Sequence, residues 1–494
     1  MYKGAPNRSH IYLLSHSFVR SSQALRCQSE ELMPVRLIDS LASTEALAEV
    51  FSDRSILQAM LDFETALAQV EARLKIIPQA AADAIKASAR TDVFDIAALS
   101  HDTLRAGTPG IALVKALTGI VCSKDAAAAE FVHWGATSQD VADTALILLL
   151  KRAQPAIEAD LVRAEVALWR LAEQHAHTIM LGRTLLQAAP PVTFGLKVAG
   201  WLASIHRGKE RLTQTFSDAL LVQFGGASGT LAALGPQGPA VARGLAQELG
   251  LTCPDAPWHT HRDRLAAVVC ACGVLTGSLG KVARDVTLLM QGEVSEVAEP
   301  GGQGRGGSST MPHKRNPIGC AVTLAAANRM PGLVASFLSA MVQEHERAVG
   351  GWQSEWPTIA AVIQATGLAV ASIAEIAEGL AVNSTHMRAN LDATQGTIFA
   401  EKATFLLAKK LGRNSAQQLL EHATRCALEQ GRSLAKVLEE MPEVTRHLDQ
   451  AALGKLEVAE DYLGSADTFR TQQLRASGLP NTNKKKQQNK KKRD

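Results

Sequence analysis

Two stretches of this chain, 265–290 and 357–380, stay apolar for longer than an ordinary globular helix runs, and neither alternates with the period of two of a half-buried strand. Segments that long bury themselves best against one another, so the chain is constrained towards a bundle of long helices. The same reading extends to 141–152, 161–175, 196–216, 317–344 and 400–411. Upstream, Ile56, Met60, Phe63, Leu67, Val70 and Leu74 step by four and three, which predicts one apolar helical face that Pro78 stops. Hydrophobic residues make up 46% of the chain but aromatics only 4%, so the interior is built from Ala and Leu, which favour helix. An all-β fold would lean on aromatic and β-branched residues. The predicted class is therefore all-α, with no internal repeat. The longest uncharged run, 356–374, contains Pro357, Gln364 and Gly367. It reads as a buried bundle helix rather than a membrane span, because its neighbours are equally apolar.

The net charge of +3 is misleading. Residues 484–494 hold six Lys and one Arg against one Asp, and the Ser/Arg-rich stretch 1–32 is also basic, which leaves the body mildly acidic. That body lacks the basic footprint of a nucleic-acid binder, and the tail reads as a solvated, disordered end. The first 32 residues read as an extension ahead of Met33 rather than a targeting peptide, since the run Ile11–Leu14 is too short for a secretory core. Seven scattered cysteines, an odd number, argue for reduced thiols and a cytoplasmic protein. His259-x-His261 lacks further ligands, so no metal is expected. Arg262 and Asp263 read as a structural ion pair.

One segment stands apart chemically. Residues 301–307 are nearly all glycine, and 308–317 follow with Ser308, Ser309, Thr310, His313, Lys314, Arg315 and Asn316. A mobile loop that ends in dense polar chemistry is what a closing active-site loop needs. Its spacing is not that of a nucleotide P-loop.

Two further segments complete a pattern: Phe131-Val132-His133-Trp134-Gly135-Ala136-Thr137-Ser138-Gln139-Asp140, and Gly182-Arg183-Thr184-Leu185-Leu186-Gln187. In this order, with the 308–317 loop, they resemble the fumarase/aspartase superfamily over most of 33–475. The resemblance implies three helical domains: 33–130, a central long-helix bundle at 131–390 that carries the signature loop, and 391–475. Residues 1–32 and 476–494 lie outside them as disordered ends. It also implies a homotetramer whose active sites collect segments from different subunits, a small polycarboxylate substrate, and no cofactor, membrane or nucleic-acid partner.

By the same resemblance, Ser308 is the residue that exchanges the proton at the α-carbon, while Lys314 and Asn316 hold the charge of an aci-carboxylate intermediate. His133, Thr137, Ser138, Arg183, Gln187, His313 and Arg315 are candidate substrate-binding residues. Thr137 and Ser138 stand where a loop enters a helix, a position that suits either a carboxylate or a cap. Arg183 suits either a substrate carboxylate or a tie between helices.

Many lyases of the superfamily carry an acid histidine where this chain has Leu185, and a glutamate where it has Ala321. Without that acid the leaving group, or in reverse the nucleophile, must be stable unprotonated, as a carboxylate is. This points to the branch that closes a lactone on 3-carboxy-cis,cis-muconate in protocatechuate breakdown, giving 4-carboxymuconolactone. The alternative is an adenylosuccinate-lyase-like elimination releasing fumarate. Against it, Trp352 and Trp356 stand where that branch binds phosphate, and indoles offer a phosphate no charge. Those two indoles suit either a substrate wall or core packing.

Overall fold

The computed structural model describes residues 37–302, 306–307, 311 and 314–479. Its principal helices are α1 (Asp53–Arg73), α2 (Ile96–Ala106), α3 (Pro109–Cys122), α4 (Ser138–Gln174), α5 (Phe194–Ala219), α6 (Gly238–Leu249), α7 (Asp263–Leu289), α8 (Ile318–Ala340), α9 (Gly351–Gly379), α10 (Ala400–Leu411), α11 (Arg413–Gln430) and α12 (Ala466–Ala476). The fold is all-α, as the periodicity requires. The strands form two small antiparallel pairs, β1 (Ile179–Thr184) with β2 (Gln187–Thr193) and β3 (Val297–Ala298) with β4 (Ala381–Val382).

Local chemistry sets the helix ends. The Ser52 side chain accepts from the Ser55 amide to start α1, and the chain leaves that helix through Lys75 at φ +59°, before Pro78. Two helices are expected across 141–175, but α4 runs unbroken for 37 residues through Pro155. Proline removes one backbone bond there. Ala153, Ile157 and Leu161, all buried, hold the two halves to one packing face, and that burial outweighs the break. α9 likewise begins six residues before Pro357.

α4, α5, α7, α8 and α9 share the largest apolar cluster. A Cβ at Gly280 would lie 2.7 Å from Ala327 Cβ, so α7 and α8 approach this closely only because that position has no side chain. By length and composition α7, α8 and α9 could each cross a membrane. α7 and α9 bury most of that apolar surface inside the bundle, whereas α8 leaves most of its own uncovered. A second cluster joins α1, α3, the first turns of α4 and the 222–246 segment, and a third gathers 391–459. The segment around α6 therefore packs with α1 rather than with the bundle, and α12 returns from the C-terminal region to lie on α5.

Candidate active site

The first motif closes the N-terminal end of α4 around one carboxylate. Asp140, fully buried, accepts the amides of Thr137 (3.1 Å), Gly225 (3.0 Å) and Gly226 (2.9 Å), and lies 2.7 Å from His259 Nε2. Asp140 thus caps its own helix and fixes the 133–138 loop to the 225–226 and 258–262 turns. The Arg347 guanidinium donates to the Gly226 (2.8 Å) and Ala227 (3.1 Å) carbonyls and closes the same corner. Thr137 and Ser138 remain half-buried at the mouth. His133, at φ +61°, places Nδ1 2.7 Å from Oε1 of buried Glu64 on α1.

Beneath this mouth lies a buried ionic network. Arg262 does not pair with Asp263. Its guanidinium donates to Asp143 (2.8 and 3.0 Å) and Glu355 (2.6 to 3.1 Å), with the Trp258 ring 4.7 Å away. The choice of partners has a physical cause: Asp263 sits in the first turn of α7, where it meets the helix dipole, whereas Asp143 and Glu355 face the same buried space as Arg262. Burial works against the charged guanidinium, but the two carboxylates overcome it and raise the pKa of Arg262. Burial, opposed by Arg262, pushes Glu355 up. Trp352 Nε1 donates to Asp143 (2.9 Å), and Gln343 donates to Glu355 (2.7 Å). Trp352 and Trp356 also line an apolar cavity of about 480 Å³ with Ile56, Met60, Leu99 and Pro109.

The second and third motifs lie together elsewhere. β1 and β2 turn through Leu185 (φ +50°) and Leu186 (φ +64°), a two-residue hairpin whose tip leucines are 97% and 74% exposed. Arg183 grips fully buried Glu296 through two bonds (3.0 and 2.7 Å), and Asn390 donates to the same carboxylate (2.9 Å). Of the two roles open to Arg183, the structure displays the tie. Gln187 is exposed on β2.

Glu299 accepts the Gly319 (3.0 Å) and Cys320 (2.7 Å) amides and so caps α8, which pins both ends of the glycine-rich loop. Within that loop the Asn316 amide donates to the Gly306 carbonyl (2.9 Å). Gly306 sits at φ +67°, and a Cβ there would lie 2.7 Å from the Asn316 carbonyl oxygen. Lys314 and Arg315 are exposed and Asn316 is half-buried. Ser308 and His313 lie outside the described residues.

The motifs therefore gather at two ends of the bundle. His133, Thr137 and Ser138 join the 343–347 segment at one. Arg183, Gln187, Lys314, Arg315 and Asn316 occupy the other. The 37 residues of α4 separate them, which is about 55 Å. Sequence reading missed Glu64, Glu296 and Glu299. Only Glu64 had left a signal, as an acid within the apolar stripe of α1. Among the described residues no group of three acidic, histidine or cysteine side chains could hold a metal.

This long-helix bundle, with its glycine-rich loop pinned at the start of one helix, has known counterparts. Residues 41–332 match the lyase family, and 396–472 match the adenylosuccinate lyase C-terminus. The chain belongs to the fumarase/aspartase superfamily of lyases. Superfamily members are oligomeric enzymes acting on small polycarboxylates. The chain is 49% identical over 433 residues to a 3-carboxy-cis,cis-muconate cycloisomerase of Bradyrhizobium diazoefficiens, covering 88% of this chain and 96% of that one. The crystal structure of the 3-carboxy-cis,cis-muconate lactonizing enzyme of Pseudomonas putida superposes with a TM-score of 0.84 at 44% identity, covering 90% and 99%. A nitrosuccinate lyase of Streptomyces davaonensis is 43% identical over 443 residues, covering 88% and 92%.

Proposed function

We propose that this chain is a 3-carboxy-cis,cis-muconate cycloisomerase of the protocatechuate branch of the β-ketoadipate pathway. One carboxylate of the substrate adds to the substrate's own double bond, and the carbon next to another carboxylate takes up a proton, giving 4-carboxymuconolactone. Apart from the similarity to named cycloisomerases, the observation that carries this reading is the hairpin tip: Leu185 and Leu186 project into the open and offer no proton. An elimination that expels an amine needs an acid there, whereas a carboxylate nucleophile needs none.

In this reading Ser308 delivers the proton to carbon, and Lys314 and Asn316 hold the negative charge of the aci-carboxylate. His133, Thr137, Ser138, Gln187, His313 and Arg315 anchor the remaining carboxylates. Arg183, its charge met by Glu296, acts by fixing the hairpin that carries Gln187. No cofactor takes part. The active site is shared between copies of the chain in a homotetramer, because its halves stand about 55 Å apart along α4. The uncovered apolar face of α8, with Ile318, Leu338 and nearby Val342 exposed, supports that assembly. The enzyme works in the cytoplasm, in keeping with the free thiols of Cys122, Cys253, Cys270, Cys272 and Cys426.

The test is direct. Purified protein is given 3-carboxy-cis,cis-muconate, and the loss of its ultraviolet absorbance is followed. Adenylosuccinate and nitrosuccinate are assayed in parallel for fumarate. Rapid muconate loss without fumarate formation from the other two is expected. Faster release of fumarate from either one overturns the assignment.

A further inference from the structure

α1 carries two acids on its apolar stripe, Glu64 and Glu71, both buried. Glu64 Oε1 meets His133 Nδ1, but its Oε2 has no hydrogen-bond partner, and neither oxygen of Glu71 has one. A pair that served only to tie α1 to the 133–138 loop would be cheaper as packed apolar side chains, since unpartnered buried oxygens destabilise the fold. Glu64 meets one polar group, the His133 ring, which points to an electrostatic task for its carboxylate there.

We propose that Glu64 is a positioning residue that holds His133 as an imidazolium and fixes its ring so that Nε2–H donates to a substrate carboxylate. The inference rests on His133 as a substrate-binding residue. Among the described residues Nε2 has no hydrogen-bond partner, so that donor is open. Every charge facing the ring is accounted for. α1 contributes Glu64, with Glu71 behind it. The first turn of α4 contributes Asp140, itself engaged by His259. The 225–227 turn presents only backbone, with Arg347 bonded to its carbonyls. Burial alone would discharge the imidazole. The attraction and hydrogen bond of Glu64, with Asp140 behind, reverse this and raise the pKa of His133. Burial, with Glu64 nearby, pushes Glu71 up to about 9, so Glu71 is a neutral acid at neutral pH and α1 aims a single negative charge at the ring.

The experiment is steady-state kinetics of Glu64→Gln in the full chain, from mildly acid to mildly alkaline pH. Gln keeps the shape and removes the charge. KM for the muconate is expected to rise about tenfold on the alkaline side with kcat little changed, and the basic limb of kcat/KM to move about one unit lower. Glu71→Gln should leave that limb in place. Loss of activity by the same factor at every pH, or an unmoved limb, overturns the proposal. His133→Asn separates the two layers: unchanged KM there removes the role of His133 itself, whereas a raised KM beside an unmoved limb in Glu64→Gln removes only that of Glu64. Should Glu64→Gln fail to fold, the imidazole NMR resonance that disappears in His133→Asn is titrated in the parent protein. A charged ring persisting above the ordinary histidine range supports the proposal, and titration at or below that range overturns it.

Discussion

At the scale of single residues, the interior holds more charge than its composition suggests, and each charge makes a distinct prediction. Arg262 neutralises two buried carboxylates at once, so Arg262→Met leaves Asp143 and Glu355 with neutral donors but no cation. The expected cost is about 3–5 kcal/mol, read as a lower urea midpoint with an unchanged slope. Glu71 behaves oppositely. Its folded-state pKa is raised to about 9 from 4.5, so its contribution is fully present below the lower value and is lost as pH rises through the upper one. Glu71→Gln should therefore stabilise the protein at neutral pH, by ~3 kcal/mol at most, and change little at acid pH. Equal gains at both pH values would show that burial of the side chain, not its ionisation, sets the cost. The partners of Arg262 were illegible in the sequence because they lie 119 and 93 positions away. Glu64 and Glu71 interrupt the apolar stripe of α1, a signal that was missed, and what they face left no signal at all.

At the scale of elements, the long helices could be read from periodicity because their burial is one-sided and extended. The break at Pro155 was overcalled, since a single missing bond is a local cost and α4 is held by packing along its length. The 179–193 hairpin left no sequence signal: its turn is Leu-Leu, not the Asn-Gly or Gly-Gly that a positive-φ pair favours. That mismatch is itself informative. Two leucines held at positive φ and exposed cost about 1–2 kcal/mol each, so the tip is not optimised for the lone chain. Replacing Leu185-Leu186 by Asn-Gly should raise the thermal midpoint of the separated subunit and lower turnover, if the tip acts inside a neighbouring copy. Full turnover in that variant would show that the leucines do not enter the site. Gly306→Ala tests the loop in the same way. Its Cβ would press on the Asn316 carbonyl, so kcat should fall at least tenfold while the melting temperature stays within a few degrees.

At the scale of the whole molecule, the candidate site is divided by its own longest helix. The sequence offered three candidate motifs but no sign that they occupy opposite ends of a rod about 55 Å long, because spacing along a chain does not show where the chain turns back. In the proposed homotetramer, a closed symmetric assembly would lay one end of a copy beside the other end of a second. This makes a quantitative prediction. Take two inactive variants, Lys314→Ala at one end and Ser138→Asp at the other. Unfold them together in equal amounts and refold the mixture. If each site draws its two halves from different copies, about a quarter of the sites combine two unaltered halves, and about a quarter of the unaltered protein's activity returns. If one chain supplied both halves, every site would carry one lesion and the mixture would stay as inactive as its parents. Size-exclusion chromatography of the refolded mixture confirms that hybrid oligomers formed, so a silent mixture that has assembled counts against the shared site.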